Sequence, residues 1–276
     1  MGRPVRARPP GRERRRGGPG PAARRAVGIA LAFLAPSVST AQKAAAVPWA
    51  TGEHLEYEVK FGAITAGSGR MDVVGIETMR GRQTWHLHFN VSGGIRFVYR
   101  VNDSYDSWLD VESLNSLRFI QELSEGNRDR ERIYDIFPEY STYLEHGKEE
   151  KLSVPQPLDD ASFFFFIRSV PLEVGKEYEF NRYFDPRSNP VVLRVLRREH
   201  IEVPAGEFDA IVLQPLIKTS GIFSEGGRAE IWLSDDRRRI LLQMKSKLPF
   251  GSLNLYLKKV SLPDSSAPTR NSGGHR

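Results

Sequence analysis

His86 and His88 stand two apart, a spacing that puts both imidazoles on one side of a β-strand, where they could share a metal ion. Two ligands do not make a site, and the nearby Gln83 and Asn90 are poor additional ones, so solvated strand histidines are the simpler reading. Asn102, Asp103, Asp106, Asp110 and Glu112 form an acidic series that suggests calcium. It lacks the alternating ligand spacing and central glycine of an EF-hand loop, and side-chain bonds to a bent hairpin are expected instead. Asp159-Asp160 and Asp235-Asp236 are the adjacent carboxylate pairs of interest. Hydrolysis needs two acids converging across a cleft; the first pair reads more simply as a helix cap, the second as a charged hairpin tip before Arg237-Arg238-Arg239. Gly67-Ser68-Gly69 is too short for a nucleophile elbow, and neither a phosphate-binding loop nor a dinucleotide fingerprint occurs. The chain has no cysteine. That excludes a thiol nucleophile, disulfides, Cys-ligated zinc or iron–sulfur sites and a lipobox lipoprotein, whose acylated residue is a cysteine. No catalytic residue, metal ligand or cofactor is assigned, and the chain reads as a non-enzyme.

The most informative side chains are apolar. Phe163, Phe164, Phe165 and Phe166 run consecutively, representing roughly 600–1,000 Å² of aromatic surface, more than the ~300–600 Å² patch of a typical soluble monomer. In a helix they span about 300° of the circumference, too much for one flat face to hide. Either the helix is sandwiched between two β-layers, or it covers an apolar cavity in a curved sheet. The second reading makes these four residues the candidate ligand-binding set.

Most of the chain that positions them has period two. In His54–Phe61, Leu55, Tyr57, Val59 and Phe61 share one face and charges the other, as in a half-buried strand. Similar runs cover roughly 67–75, 82–91, 96–105, 117–123, 131–137, 176–184, 191–203, 208–217, 228–233, 239–247 and 252–260. Turn residues separate them, among them Arg80-Gly81, Ser92-Gly93-Gly94, Gly126-Asn127 and Pro204-Ala205-Gly206. The pattern predicts an all-β, mostly antiparallel fold of two β-rich halves forming a sandwich or a curved half-barrel. The exception is one short helix near 159–169, between Pro157 and Pro171, with an Asp cap and Arg168 near its end; a buried strand is the alternative. Gly52-Glu53-x-Leu55-x-Tyr57 resembles Gly175-Lys176-x-Tyr178-x-Phe180, and Trp108-Leu109 is echoed by Trp232-Leu233. A single β-rich domain over 49–261 with two similar halves, about 51–152 and 172–261, is therefore expected, Trp108 and Trp232 each anchoring a hairpin into the core.

The net charge of +6 has to be divided. Residues 1–41 carry nine arginines and one acid, leaving 31 basic against 33 acidic residues in the remainder. A nucleic-acid footprint is thus absent from the body of the chain. Arg24-Arg25, the apolar run Ala26–Ala35 and the small residues 37–41 follow the order of an export signal. The run rises only about 15 Å as helix, half of a hydrocarbon core. Residues 1–46 are expected to be a basic leader and signal peptide, 262–276 a disordered tail, and the mature chain to have no transmembrane span.

Residues 52–261 resemble the bacterial family of domains of unknown function numbered 3108. The resemblance rests on Gly52-Glu53-x-Leu55-x-Tyr57-x-Val59, Gly62-x-Ile64-x-Ala66-Gly67, Asp103-x-Tyr105-Asp106-Ser107-Trp108-Leu109, Asp160–Arg168, Val203-Pro204-Ala205-Gly206-x-Phe208 and Ile231–Asp236. It implies an exported, β-rich envelope protein with no established reaction, so no catalytic residue carries over. The expectation is a non-enzymatic protein of the bacterial periplasm or cell envelope that holds a lipid or other apolar small molecule in a concave β-surface at Phe163–Phe166. The alternatives are an envelope scaffold with a filled core and a protein partner, or, less readily, a hydrolase of glycans or esters.

Overall fold

The computed structural model describes residues 46–95, 99–216, 228–248 and 251–263. The expected leader over 1–46 and tail over 262–276 lie outside these residues but for their innermost positions. Eight strands precede the helix: β1 (His54–Phe61), β2 (Ile64–Met79), β3 (Arg82–Ile95), β4 (Tyr99–Asp110), β5 (Ser116–Glu125), β6 (Arg128–Phe137), β7 (Thr142–Glu145) and β8 (Lys151–Leu152). After helix α1 (Asp160–Ser169) come β9 (Glu177–Phe180), β10 (Val191–Val203), β11 (Gly206–Leu216), β12 (Arg228–Ser234), β13 (Leu241–Leu248) and β14 (Gly251–Ser261). All join one 14-stranded antiparallel sheet in the order β8-β7-β6-β5-β4-β3-β2-β1-β14-β13-β12-β11-β10-β9. The fold is all-β, and of the two forms expected it takes the curved one: a single open sheet curls around its own helix.

Alternation explains the curl. Leu55, Tyr57 and Val59 of β1 are buried while Glu56 and Glu58 point outward, and the same rhythm brings Met71, Val73, Leu87, Leu109, Leu193, Leu213, Ile231, Met244 and Leu257 into one cluster with Phe163, Phe165 and Ile167 of α1. The segment Ser92-Gly93-Gly94, expected to turn, lies within β3. Gly93 pairs with Gly67 of β2. A Cβ on Gly67 would come within 2.0 Å of Ser92 O, so these glycines serve close backbone approach.

The helix is set by its cap. Asp159 accepts hydrogen bonds from the backbone of Ala161 and Ser162, and the Ser162 side chain returns to the backbone N–H of Asp159 at 2.9 Å. Its far end is pinned by Arg168, which donates to both carboxylate oxygens of Glu53 (2.6 and 3.0 Å) and twice to Arg238 O (3.2 and 2.9 Å). These ion-pair side chains are 1% and 3% exposed.

Local geometry recurs along the chain. Gly52 N donates to Val73 O at 2.8 Å and Val73 N to Glu53 O at 2.9 Å; Gly175 N donates to Val195 O at 2.8 Å and Val195 N to Lys176 O at 2.9 Å. Both glycines have positive φ, 87° and 83°. Bulges fall after Val73 and after Val195, and again after Trp108 and after Trp232. The hairpin following each tryptophan contains a non-glycine residue at positive φ, Leu114 (49°) and Arg239 (47°).

Trp108 departs from the expected direction, whereas Trp232 is buried in the main core cluster. Leu109 faces inward, so its neighbour Trp108 faces out, half-buried and stacked on His86 with ring centres 4.6 Å apart. Trp232, on the face opposite Ile231 and Leu233, is buried beneath Arg197 and Lys245. Each indole N–H is taken by a glutamate two strands away, Glu77 at 2.8 Å and Glu199 at 2.5 Å.

Candidate functional site

The four phenylalanines of α1 point in different directions, as the helical angle requires. Phe165 meets Trp49 edge-on at 5.5 Å and is fully buried. Phe163 and Phe166 both pack on Phe180 of β9, at 6.4 and 5.2 Å, and the Arg182 guanidinium lies 4.5 Å over Phe166. Phe164 stacks on Phe89 of β3 at 6.0 Å, and Phe89 continues to Tyr105 of β4 at 6.0 Å. The burial is graded. Phe163 and Phe165 are closed, whereas Phe164 and Phe166 remain half-buried. So do Phe89, Val91, Val101 and Leu123, which by alternation share the concave face with the fully buried Leu87, Leu109 and Phe119.

Polar groups at the helix start are largely satisfied. Asp159 is buried; besides capping, its carboxylate accepts from Ser107 Oγ at 2.6 Å, and burial pushes its pKa up. Asp160 accepts from Tyr183 Oη at 3.0 Å and Gln121 Nε2 at 3.1 Å; burial, then the charge of Asp159, pushes its carboxyl up to about 6. The pair therefore serves the cap and an interior hydrogen-bond cluster rather than facing across a cleft. Asp236 accepts from the backbone of Arg238 and Arg239, and Asp235 pairs with Arg198 at 2.6 Å, as befits a hairpin tip.

The acidic series of β4 is divided. Asp103 accepts from Ser124 N, Asp110 holds its own turn through Glu112 N and Ser113 N, and Asp106 points out toward the histidines. Among the described residues, no group of three or more His, Cys, Asp or Glu is placed to hold a metal ion.

The outer face carries what sequence reasoning missed, a ladder of titratable side chains across β1–β4. His54 lies between Asp72 and Glu56, the latter at 3.2 Å. Arg70 donates to His88 Nε2 at 3.1 Å, and His88 Nδ1 and His86 Nε2 meet the same Asp106 oxygen at 2.9 and 2.8 Å. His86 Nδ1 reaches Glu77 at 2.8 Å. An arginine can only donate, so His88 accepts at Nε2 and donates through Nδ1. His86 and His54 each have both ring nitrogens against carboxylates, the geometry of an imidazolium. Burial disfavours charge on His86, but its bonds to Asp106 and Glu77 outweigh this and raise its pKa; the Asp72 bond does the same for His54. Burial likewise opposes ionisation of Asp106, yet the two histidines hold its pKa well below the usual range. The alternating polar residues of these strands were the available signal; the strand register that joins them, and the bulge after Val73 that brings Glu77 to this face, were not.

Residues 56–258 match the profile of a family described as protein of unknown function, DUF3108. No curated protein matches the chain. Among solved structures, the beta-barrel-like protein of the domain of unknown function DUF1849 from Brucella abortus aligns with a TM-score of 0.54 at 12% identity, over 79% of this chain and 100% of that one. The hypothetical protein CT021 from Chlamydia trachomatis aligns at 0.35 and 10% identity, over 79% and 91%. The Brucella likeness concerns the fold alone. No helix of the described residues is long and apolar enough to cross a membrane.

Proposed function

Since the chain belongs to the DUF3108 family of proteins of unknown function, and no reaction comes with that membership, we propose from its geometry that it is a non-enzymatic, exported protein of the bacterial cell envelope that holds an apolar ligand, a lipid chain, on its concave face. The observation that carries this reading is the graded burial there. Phe89, Val91, Val101, Leu123 and Phe164 stay half-buried above a closed floor, and an apolar chain laid along them would complete their burial. Of the four phenylalanines, Phe164 is then the contact residue, Phe166 lies beside it, and Phe163 and Phe165 hold the helix in place. Export rests on the order of arginines, apolar run and small residues in the leader. The non-enzymatic reading is supported by the engagement of Asp159, Asp160, Asp235 and Asp236 in caps and hydrogen bonds. We further propose that residues 49–261 form one domain of two similar halves, about 51–152 and 172–261, supported by the recurring glycine turns, bulges and tryptophan–glutamate bonds.

Native mass spectrometry of the gently extracted protein tests the ligand. The wild type should carry lipid, Phe164→Ser should lose it at nearly unchanged stability, and Phe165→Ser should lose stability first. A wild type that never carries lipid rejects the carrier reading in favour of a scaffold with a filled core and an envelope protein partner.

A further inference from the structure

On the outer face, β1, β2, β3 and β14 surround a hollow of about 360 Å³ lined by His54, Glu56, Ser68, Arg70, Asn90 and Lys258, with Tyr57 and Gly69 beneath. Two bulges shape its surroundings. In the β1–β14 ladder Glu56 pairs with Lys259 and Tyr57 with Leu257, so Lys258 is the extra residue; in the β1–β2 ladder Val59 pairs with Gly67 and Lys60 with Thr65, so Ala66 is extra. A bulge re-aims a side chain that regular pairing would place elsewhere, and here the bulged residue, Lys258, lines the hollow.

The charge of the lining is decided by geometry. Arg70 and Lys258 are cations, and His54, with both ring nitrogens against carboxylates, is a third. The one carboxylate of the lining, Glu56, is already engaged by His54 at 3.2 Å and Lys259 at 3.3 Å. Asp72, which accepts from His54 and lies 3.6 Å from the Arg70 guanidinium, sets a second carboxylate beside the lining, and Lys259 a fourth cation. Four positive charges against two leave an excess of two, with the Ser68 hydroxyl as a further donor. We propose that this hollow binds a phosphate monoester, whose charge of roughly −1.5 to −2 matches that excess and whose oxygens suit a guanidinium and an ammonium arriving from different strands. The volume lies at the lower end of small-molecule sites, which run from about 300 Å³, and leaves room for the organic group the phosphate carries. The site is on the outer face and does not depend on the apolar concave one.

The phosphate could belong to a soluble ester or to a lipid headgroup, and two arms separate these sources. In the first, glycerol 3-phosphate is titrated calorimetrically into the full chain at low salt. In the second, flotation compares phosphatidylcholine vesicles with and without phosphatidic acid. Binding in the first arm identifies a soluble ester, and binding only to the phosphatidic acid vesicles identifies a headgroup. In whichever arm binds, Arg70→Gln and Lys258→Gln should each weaken affinity about tenfold or more, while Lys151→Gln on the sheet edge leaves it unchanged. Denaturation midpoints of the variants show that the fold is retained, and the second single variant stands in should the first not fold. Absence of binding in both arms, or binding indifferent to both substitutions, overturns the proposal.

Discussion

Glu53→Gln removes one charge and almost no volume, and tests whether the helix is held by its buried ion pair. In the native protein the Arg168 guanidinium makes two bonds to Glu53 and two to Arg238 O, with both charged side chains nearly inaccessible. After the substitution the cation keeps Arg238 O and one amide oxygen but no countercharge. Leaving a buried charge uncompensated costs about 3–5 kcal/mol. For a folded unit of this size each kcal/mol corresponds to about 2–4 °C, so Tm should fall by roughly 6–20 °C. Urea unfolding followed by tryptophan emission suits the question, because Trp49 lies against Phe165 and 5.7 Å from the Arg168 guanidinium. The double variant Glu53→Leu with Arg168→Met should be more stable than either single change, since no charge is then stranded. A loss below about 1 kcal/mol for Glu53→Gln would refute the reasoning, because a pair that weak behaves as one open to water.

Two further predictions concern protons. The His86 pKa lies above 6.5 in the folded protein, so the stability it contributes is fully present below the unfolded value and disappears as pH rises through the raised one. An NMR titration should place its midpoint above 6.5, with Glu77→Gln lowering it; a wild-type midpoint at or below 6.5 contradicts the imidazolium geometry. Asp160 has the opposite sense for an acid: raised to about 6 from 3.8, its ionised form opposes folding above pH 6, and the penalty is relieved as pH falls from 6 towards 4. Asp160→Asn should therefore raise the urea midpoint at pH 8 and have little effect at pH 4, and no gain at pH 8 would count against the argument.

Period-two alternation made most strands legible, since Leu55, Tyr57 and Val59 must share a face whatever their partners. The Asp159 cap was readable for a similar reason, being local chemistry between neighbours in sequence. β7 and β8 escaped because strands of four and two residues carry too few alternations to register. Ser92-Gly93-Gly94 misled because a glycine needed for a turn and one needed for close strand approach look alike until Gly67 is placed opposite. The outer ladder and the hollow depend on register: nothing in the sequence sets His54 beside Asp72 or makes Lys258 a bulge.

The place of β1 in the sheet has a temporal consequence. Its neighbours are β2, which follows at once, and β14, the last of the described strands. Until β14 arrives, β1 is a bare edge and the two meanders on either side of it have no common seam. Such long-range pairing is slow to form, because the intervening chain must be gathered first. A ribosome therefore delivers β2 to β13 before the central joint can close. If the chain is exported as proposed, the joint between the two meanders would likewise close only after β14 has crossed.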